Sequence, residues 1–256
     1  SKHIAILKQY DFEYDPQTNI DQWMSSIEYL KTFDLVDGEY LVNKELQNGR
    51  KVLAEGAQGS MLDIDFGSYP FVTSSTTTCS GACLGLGVSP SSIGDVFGIF
   101  KAYCTRVGSG PFPTELFDET GETLRRQGHE FGATTGRSRR TGWLDLVALK
   151  YAIMINGVTK LIMMKADVMD NFESIKVATS YIVDGKETDQ VPYDTYAEIT
   201  PVYKEFKGWN TPLSHIRKEE DLPVEFKEYV EFIERETGVQ ISVISLGPDR
   251  AETIIR

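Results

Sequence analysis

The feature that most constrains the fold is an amphipathic segment followed at once by a short apolar run. Within Thr141–Asn156, apolar residues recur at helical spacing, and Gly157 provides a stop signal. The members of this stripe are Leu144, Val147, Ala148, Tyr151 and Ala152. The run Leu161–Met164 that follows has the length of a buried strand. This order predicts a layered α/β protein with a mixed, largely parallel sheet flanked by helices.

Other segments predict further elements of the same architecture. Ser174–Val183 and Lys186–Gln190 flank Asp184-Gly185, a dipeptide that readily adopts positive φ angles, so an antiparallel β-hairpin is added to the sheet. Pro223–Gly238 predicts a second helix, and Gln240–Ser245 a last buried strand.

The remaining predictions concern the first half of the chain. Residues 1–50 have helical patterning and are taken as a helical segment, with the α/β part over residues 51–256. Lys51–Ala54 predicts a short buried strand, and Ser92–Tyr103 a helix with apolar residues on one face. Between them, Tyr69–Ser92 is rich in Ser, Thr, Gly and Pro but has few charges, which favours an ordered loop that lines a pocket over a flexible linker.

Composition excludes several classes of protein. The formal net charge of −12 argues against nucleic-acid binding, which needs a basic surface. No apolar run reaches the length of a membrane span, and Ser1–Lys8 lacks a secretory pattern, so a cytoplasmic protein is expected. Cys79, Cys83 and Cys104 are expected to be reduced thiols rather than disulfides or zinc ligands.

A basic loop is the first candidate site. Thr134–Gly142 holds three arginines and three threonines just before the predicted helix. Guanidinium groups and hydroxyls together bind carboxylate or phosphate, and an acidic background makes a local basic cluster informative. The alternative is an ordinary solvated loop.

Two shorter motifs are weaker candidates. Lys165-Ala166-Asp167 ends the Leu161–Met164 strand, where α/β folds place ligands. An aspartate there can accept hydrogen bonds from the two N–H groups of guanine, although a surface ion pair is the alternative. In Glu55–Gly59, Gln58 lies between small residues that permit close backbone approach to a base or phosphate, although a structural turn explains the same pattern.

Some catalytic signatures are missing from the sequence. There is no Gly-x-x-x-x-Gly-Lys-Ser/Thr phosphate loop. The histidines His3, His129 and His215 are scattered, and Asp63 and Asp65 favour a structural or solvated role over acid–base chemistry.

Five segments in unbroken order, from residue 50 onward, resemble the adenylosuccinate synthetase family. They are Glu55–Pro70, Val72–Thr78, Lys101–Asp118, Phe131–Asp145 and Ser245–Thr253. The resemblance implies a truncated synthetase fold similar to that of phosphate-loop nucleoside triphosphatases. It also implies a GTP- and Mg²⁺-dependent carbon–nitrogen ligase, which joins IMP to L-aspartate through 6-phosphoryl-IMP.

The resemblance assigns three sets of binding residues. The IMP set is Gln58, Thr73, Val107 and Arg137. The aspartate set is Ala133, Thr134, Thr135, Gly136, Arg137, Ser138 and Arg139, where Ser138 replaces a residue that is often basic in the family. The GTP set is Arg139, Lys165, Ala166, Asp167, Ser245, Leu246 and Gly247.

The resemblance also implies what the chain lacks. The family's N-terminal phosphate loop, with its aspartate base and Mg²⁺ ligand, and its catalytic histidine have no counterpart here. We therefore expect a C-terminal portion without catalytic residues or a metal site, inactive alone, from an enzyme that forms homodimers and contacts neither nucleic acid nor membranes. The alternatives are a stand-alone nucleotide- or anion-binding module and an oligomerisation unit.

Overall fold

The computed structural model describes residues 2–134 and 136–256, apart from the side chain of Pro16, and divides the chain into two compact units. The first unit ends at Val52, and the second extends from Leu53 to Arg256. The first unit contains α1 (Lys2–Gln9), α2 (Pro16–Leu30) and α3 (Gly38–Gln47), as the helical patterning predicted. None of its described side chains is buried.

The described part of the second unit contains four α-helices and ten strands, besides short 3₁₀ helices. The helices are α4 (Ser80–Leu86), α5 (Glu119–Gln127), α6 (Leu146–Asn156) and α7 (Val224–Thr237). The strands are β1 (Phe97–Lys101), β2 (Cys104–Arg106), β3 (Arg140–Gly142), β4 (Leu144–Asp145), β5 (Lys160–Met164), β6 (Ser174–Val183), β7 (Lys186–Thr188), β8 (Ile199–Lys207), β9 (Ile241–Ser245) and β10 (Thr253–Ile255).

The main sheet has the order β1-β5-β9-β10. Strands β1, β5 and β9 are parallel, and β10 runs antiparallel to β9. In a second sheet, β6 pairs in parallel with β4 and in antiparallel fashion with β7 and β8. The predicted α/β architecture with a largely parallel sheet and an added hairpin is therefore confirmed.

The core forms where α7 packs near these strands. Leu161, Met163 and Ile241 of the parallel strands are fully buried, as are Phe226 and Tyr229 of α7. The hydroxyl of Tyr229 donates a hydrogen bond of 2.7 Å to the carbonyl of Ala102, just after β1. Apolar burial on this scale is the main stabilising contribution to such a unit.

The helix predicted over Ser92–Tyr103 is wrong, because its second half is strand β1. Phe97–Lys101 pairs in parallel with β5, residue for residue. A glycine at position 98 suits this pairing, since a Cβ there would lie 2.9 Å from Val158. Short apolar runs fit both helical and strand spacing, and the partner strand decides between them.

Two further boundaries differ from the predictions. Lys51–Ala54 is not a buried strand: it has no regular structure, and Leu53 is 87% exposed. The helix predicted from Thr141 begins instead at Leu146, where Asp145 caps it by accepting a hydrogen bond of 3.1 Å from the Ala148 amide. Its predicted end is correct, since Gly157 adopts a φ of 62° as the C-cap.

Candidate functional site

The carboxyl ends of the three parallel strands meet at one edge of the main sheet. Lys101, the last residue of β1, pairs with Met164 at the end of β5, and Met164 pairs with Ser245 at the end of β9. The predicted segments Lys165–Asp167 and Ser245–Gly247 therefore follow neighbouring strands. Loops after adjacent parallel strands are where α/β folds bind ligands.

Asp167 lies directly after the turn that ends β5. Lys165 adopts a φ of 61°, which turns the chain into a short 3₁₀ helix, Ala166–Met169. The Oδ1 atom of Asp167 is buried and has no hydrogen-bond partner among the described residues. Burial raises the pKa of this carboxyl, and the charge of Glu252 adds to the effect. A buried acceptor without a partner is costly, so this atom suits a ligand that donates hydrogen bonds.

The loop after β9 is held against Glu252. The Leu246 amide donates a hydrogen bond of 2.8 Å to the Glu252 carbonyl, and the Leu246 side chain is fully buried. A Cβ at position 247 would lie 2.2 Å from the Glu252 carboxylate, so a larger residue there would displace that carboxylate. The Ser245 hydroxyl donates to the Gly247 carbonyl at 3.2 Å.

The predicted residues Gln58 and Thr73 are in direct contact. Gln58 has a φ of 69°, and its Nε2 donates a hydrogen bond of 3.1 Å to Oγ1 of Thr73. The Thr73 amide donates to the Leu62 carbonyl at 2.9 Å. Both side chains thus present an amide and a hydroxyl at one place, although fifteen residues separate them in sequence.

Asp63 organises the loop that carries this pair. Its carboxylate is fully buried and accepts hydrogen bonds from four backbone amides, those of Asp65, Phe66, Thr77 and Thr78. Burial alone would raise its pKa, but these amide hydrogen bonds lower it below the ordinary value. This arrangement matches the structural role that the sequence favoured for Asp63.

The predicted basic loop forms a closed turn, and its residues Ala133–Arg139 are called the arginine loop below. The Gly132 amide donates to the Arg137 carbonyl, and the Gly136 amide donates back to the Gly132 carbonyl, both at 2.8 Å. Gly136 has a φ of 63°, and Ser138 forms an antiparallel bridge with Phe131. Ala133, Thr134 and Arg137 are exposed in this turn, whereas the predicted Thr135 lies outside the described residues.

Arg139 leaves the loop and points to a buried carboxylate. The Glu130 side chain is 0% exposed, and its Oε2 accepts a hydrogen bond of 2.8 Å from Nη1 of Arg139. Its Oε1 lies 2.7 Å from Nζ of Lys101, 2.6 Å from the Tyr103 hydroxyl and 3.1 Å from Nζ of Lys165. We call these five residues the Glu130 cluster.

The charge of the Glu130 cluster is fixed by its geometry. Burial alone would raise the pKa of Glu130, but hydrogen bonds from Lys101 and Tyr103 and the nearby cations lower it to about 2. Burial lowers the pKa of Lys101, and its contact with Glu130 opposes that change. The cluster therefore brings the predicted Arg139 and Lys165 together around one ionised carboxylate.

Val107 lies on the loop after β2. It is 59% exposed, and the carbonyl of the next residue, Gly108, accepts a hydrogen bond of 3.1 Å from Nη1 of Arg140. Arg140 also forms an ion pair with Glu115. The residue that follows Arg139 thus anchors the Val107 loop.

Sequence reasoning missed Glu130, Lys101 and Tyr103. Tyr103, Lys101 and Lys165 lie 27, 29 and 35 residues from Glu130 in the sequence, and no local motif marks these contacts. The only local signal for Glu130 is that it is an acidic residue shortly before the arginine loop. Acidic residues also flank ordinary surface loops, so this signal is not specific.

The described residues offer little for a metal. They contain no group of three or more His, Cys, Asp or Glu side chains placed to hold a metal ion. Cys79, Cys83 and Cys104 are free thiols. Among the described helices, none has both the length and the apolar character that crossing a membrane requires.

Comparisons with known proteins agree with one another. The family model described as adenylosuccinate synthetase matches residues 1–254. Adenylosuccinate synthetases from Bacteroides fragilis and Bacteroides thetaiotaomicron are 59% and 60% identical to this chain, and each match covers 100% of the chain and 60% of the relative. The chain therefore spans about 60% of the length of these relatives.

Solved structures give the same result. A fully ligated adenylosuccinate synthetase from Plasmodium falciparum is 37% identical, with a TM-score of 0.91 over 98% of this chain and 61% of that chain. A succinoaminodeoxyadenylate synthetase from cyanophage S-2L is 18% identical, with a TM-score of 0.54 over 86% of this chain and 50% of that one, and shares the fold alone.

Proposed function

The chain belongs to the adenylosuccinate synthetase family, and from this premise we propose that it is the substrate-selecting portion of such an enzyme. The parent enzyme condenses IMP with L-aspartate and converts GTP to GDP and phosphate. It is a carbon–nitrogen ligase of AMP biosynthesis. The observation that carries the proposal for this chain is the buried Oδ1 of Asp167, which has no partner among the described residues and lies at the edge where the parallel strands end.

Asp167 selects guanine in this proposal. The N1–H and exocyclic amine of guanine donate two hydrogen bonds to one carboxylate, whereas adenine has no such donor pair. Binding of guanine relieves the cost of the buried acceptor, and a base without donors leaves that cost in place. Lys165, Ala166 and the Ser245–Gly247 loop form the walls beside the base, and Arg139 reaches toward the same nucleotide.

Gln58 and Thr73 bind IMP in this proposal. Their contact places an amide and a hydroxyl together, which suits a phosphate or a purine edge. In the same proposal, Val107 supplies an exposed apolar side chain for the purine, and Arg137 adds a positive charge for the phosphate.

The arginine loop binds L-aspartate in this proposal. Two carboxylates need several donors, and the loop from Ala133 to Arg139 offers hydroxyls, backbone amides and guanidinium groups. The backbone hydrogen bonds of Gly132, Gly136 and Arg137 hold this turn closed before any ligand arrives, which lowers the entropic cost of binding.

Phosphoryl transfer lies outside this chain in the proposal. The sequence has no phosphate-binding Gly-Lys loop, and the described residues contain no group of three or more His, Cys, Asp or Glu side chains placed to hold a metal ion. We therefore propose that the chain orients IMP, aspartate and the guanine base but does not turn them over. The homodimeric state of the parent enzyme stays a prediction.

The test combines binding with turnover. Calorimetric titration of the chain with GDP and with IMP should show one site for each, and ADP should not replace GDP. A phosphate-release assay with IMP, GTP, aspartate and Mg²⁺ should show no turnover above buffer. Absence of both GDP and IMP binding would contradict the substrate-selecting role, and phosphate release would contradict the inactivity of the chain.

A further inference from the structure

The Glu130 cluster joins two segments that are distant in sequence. Glu130 stands shortly before the arginine loop, and its Oε2 holds Arg139 at 2.8 Å. Its Oε1 holds Lys165, which follows β5 directly, at 3.1 Å. One buried side chain therefore contacts both the loop assigned to aspartate and the segment assigned to guanine.

We propose that Glu130 is a positioning residue that couples the geometry of the arginine loop to that of the guanine segment. The inference rests on the proposed function for the identity of the two ligands. The coupling itself does not depend on the proposed function, because it follows from the contacts that Glu130 makes.

On the loop side, Glu130 fixes Arg139 twice. The Arg139 amide donates to the Glu130 carbonyl at 2.9 Å, and its guanidinium donates to the Glu130 carboxylate. The Arg139 carbonyl accepts a further hydrogen bond of 2.9 Å from Nε of Arg125 on α5. With backbone and head group both held, the orientation of Arg139 follows the position of Glu130.

On the guanine side, Glu130 acts through Lys165. Nζ of Lys165 donates to the Glu130 carboxylate and, at 2.5 Å, to the Gly128 carbonyl. The backbone of Lys165 forms the left-handed turn that places Asp167 two residues later. Holding the Lys165 side chain therefore holds the turn that presents the unpaired Oδ1 of Asp167.

Ion pairs with Glu130 restrict the relative motion of the arginine loop and the guanine segment. The carboxylate of Glu130 is fully buried and faces three cations, those of Lys101, Arg139 and Lys165. Removing the one negative charge would leave these cations close together and without compensation. They would then separate and move the arginine loop and the guanine segment at the same time.

Three variants separate coupling from a general loss of stability. Glu130→Gln removes the charge, while Glu130→Asp keeps it but draws the carboxylate back by one methylene. The matched control is Glu234→Gln, which removes a part-buried carboxylate that pairs with Arg256 and with the amide of Ile241, at the opposite end of β9 from Ser245.

The first measurement is ligand affinity by calorimetry with GDP and IMP. Glu130→Gln should weaken GDP binding at least about tenfold, the equivalent of one lost charged contact. Glu130→Asp should give an intermediate loss. IMP affinity should fall less than GDP affinity, because Gln58 and Thr73 lie on the loop that Asp63 holds and only Arg137 of the IMP set lies in the arginine loop. The control should bind both nucleotides like the unmodified chain.

The second measurement is amide hydrogen exchange without ligand. In both Glu130 variants, exchange should accelerate together in residues 131–139 and 166–170, by at least about tenfold for the Gln variant, because a locally opened segment loses protection. The control should instead change exchange near Ile241. Glu130→Asp provides this readout even where the Gln variant does not fold.

The possible outcomes test the coupling and the proposed function separately. Unchanged exchange in either segment would overturn the coupling, as would equal losses of GDP and IMP affinity in the Glu130 variants and the control. An unmodified chain that binds neither GDP nor IMP would refute the proposed function, while hydrogen exchange would still decide whether Glu130 couples the two segments.

Discussion

Nε2 of Gln58 lies 3.1 Å from Oγ1 of Thr73 and donates a hydrogen bond to it. If this pair binds IMP, Gln58→Ala should weaken IMP binding about tenfold, the effect of losing one or two hydrogen bonds. GDP affinity should stay the same. Calorimetry measures both constants, with Gln47→Ala at the end of α3 as the control. Equal IMP affinity in Gln58→Ala and the control would refute the assignment.

Asp167→Asn should reverse base preference. The carboxamide loses one acceptor for guanine, so GDP should bind at least about thirtyfold more weakly. Xanthosine diphosphate, which carries a carbonyl in place of the exocyclic amine, should bind better than to the unmodified chain. Competition titration with the two nucleotides measures the switch, and unchanged GDP affinity would show that Asp167 does not contact the base.

The same substitution should make the free chain more stable. Burial raises the pKa of Asp167, so the folded state disfavours the ionised form that predominates at neutral pH. Replacing it with a neutral amide removes this cost. Thermal unfolding at pH 7 without ligand should show a higher midpoint for Asp167→Asn, and a lower midpoint would contradict the burial argument.

Glu130 should control stability in acid. Its folded-state pKa of about 2 lies below the ordinary 4.5, so its contribution is complete above pH 4.5 and is lost as the pH falls through about 2. Glu130→Gln should lose this pH dependence and cost about 3–5 kcal/mol at pH 7. Denaturant unfolding at several pH values tests this. Parallel stability curves for the two proteins would exclude it.

Asp63→Asn should loosen the loop that carries Gln58 and Thr73. An amide cannot accept four backbone hydrogen bonds as the carboxylate does, so residues 59–78 should become more accessible to protease. IMP affinity should fall about tenfold, while GDP affinity should not. Asp189→Asn, at an exposed position, is the control, and equal protease sensitivity in both variants would contradict the role of Asp63.

Gly185→Ala isolates a backbone effect in the hairpin. Gly185 has a φ of 74° and open space around its Cα, so the alanine methyl would meet no neighbour. The cost should be about 1–2 kcal/mol from conformation alone. Gly94→Ala, which has open space but no positive φ, should cost less. Denaturant midpoints compare the two variants, and equal midpoints would be the contrary result.

The sequence predicted best what is decided locally. The Asp184-Gly185 turn and the Gly157 cap both depend on residues that tolerate positive φ, and both are confirmed. The run Phe97–Lys101 was wrongly predicted as part of a helix because its strand state depends on β5, more than fifty residues away. Lys51–Ala54 failed for the opposite reason, since four apolar-rich residues do not form a strand without a partner.

The candidate site shows the same division. The arginine loop and the Lys165–Asp167 turn carry recognisable residue patterns, so sequence could nominate them. Glu130 could not be nominated, because two of its three cations, Lys101 and Lys165, come close to it only in the folded sheet. Electrostatic contacts between residues that are distant in the chain produce no regular residue spacing from which they could be predicted.

The excess of positive charge around Glu130 has a kinetic consequence in a chain whose net charge is −12. An anionic nucleotide is repelled by the molecule at a distance and attracted only at short range. Added salt screens the distant repulsion beyond a Debye length of about 10 Å at 0.1 M but weakens the half-buried contacts much less. Nucleotide association should therefore become faster as ionic strength rises, opposite to the behaviour of an enzyme that steers its substrate electrostatically.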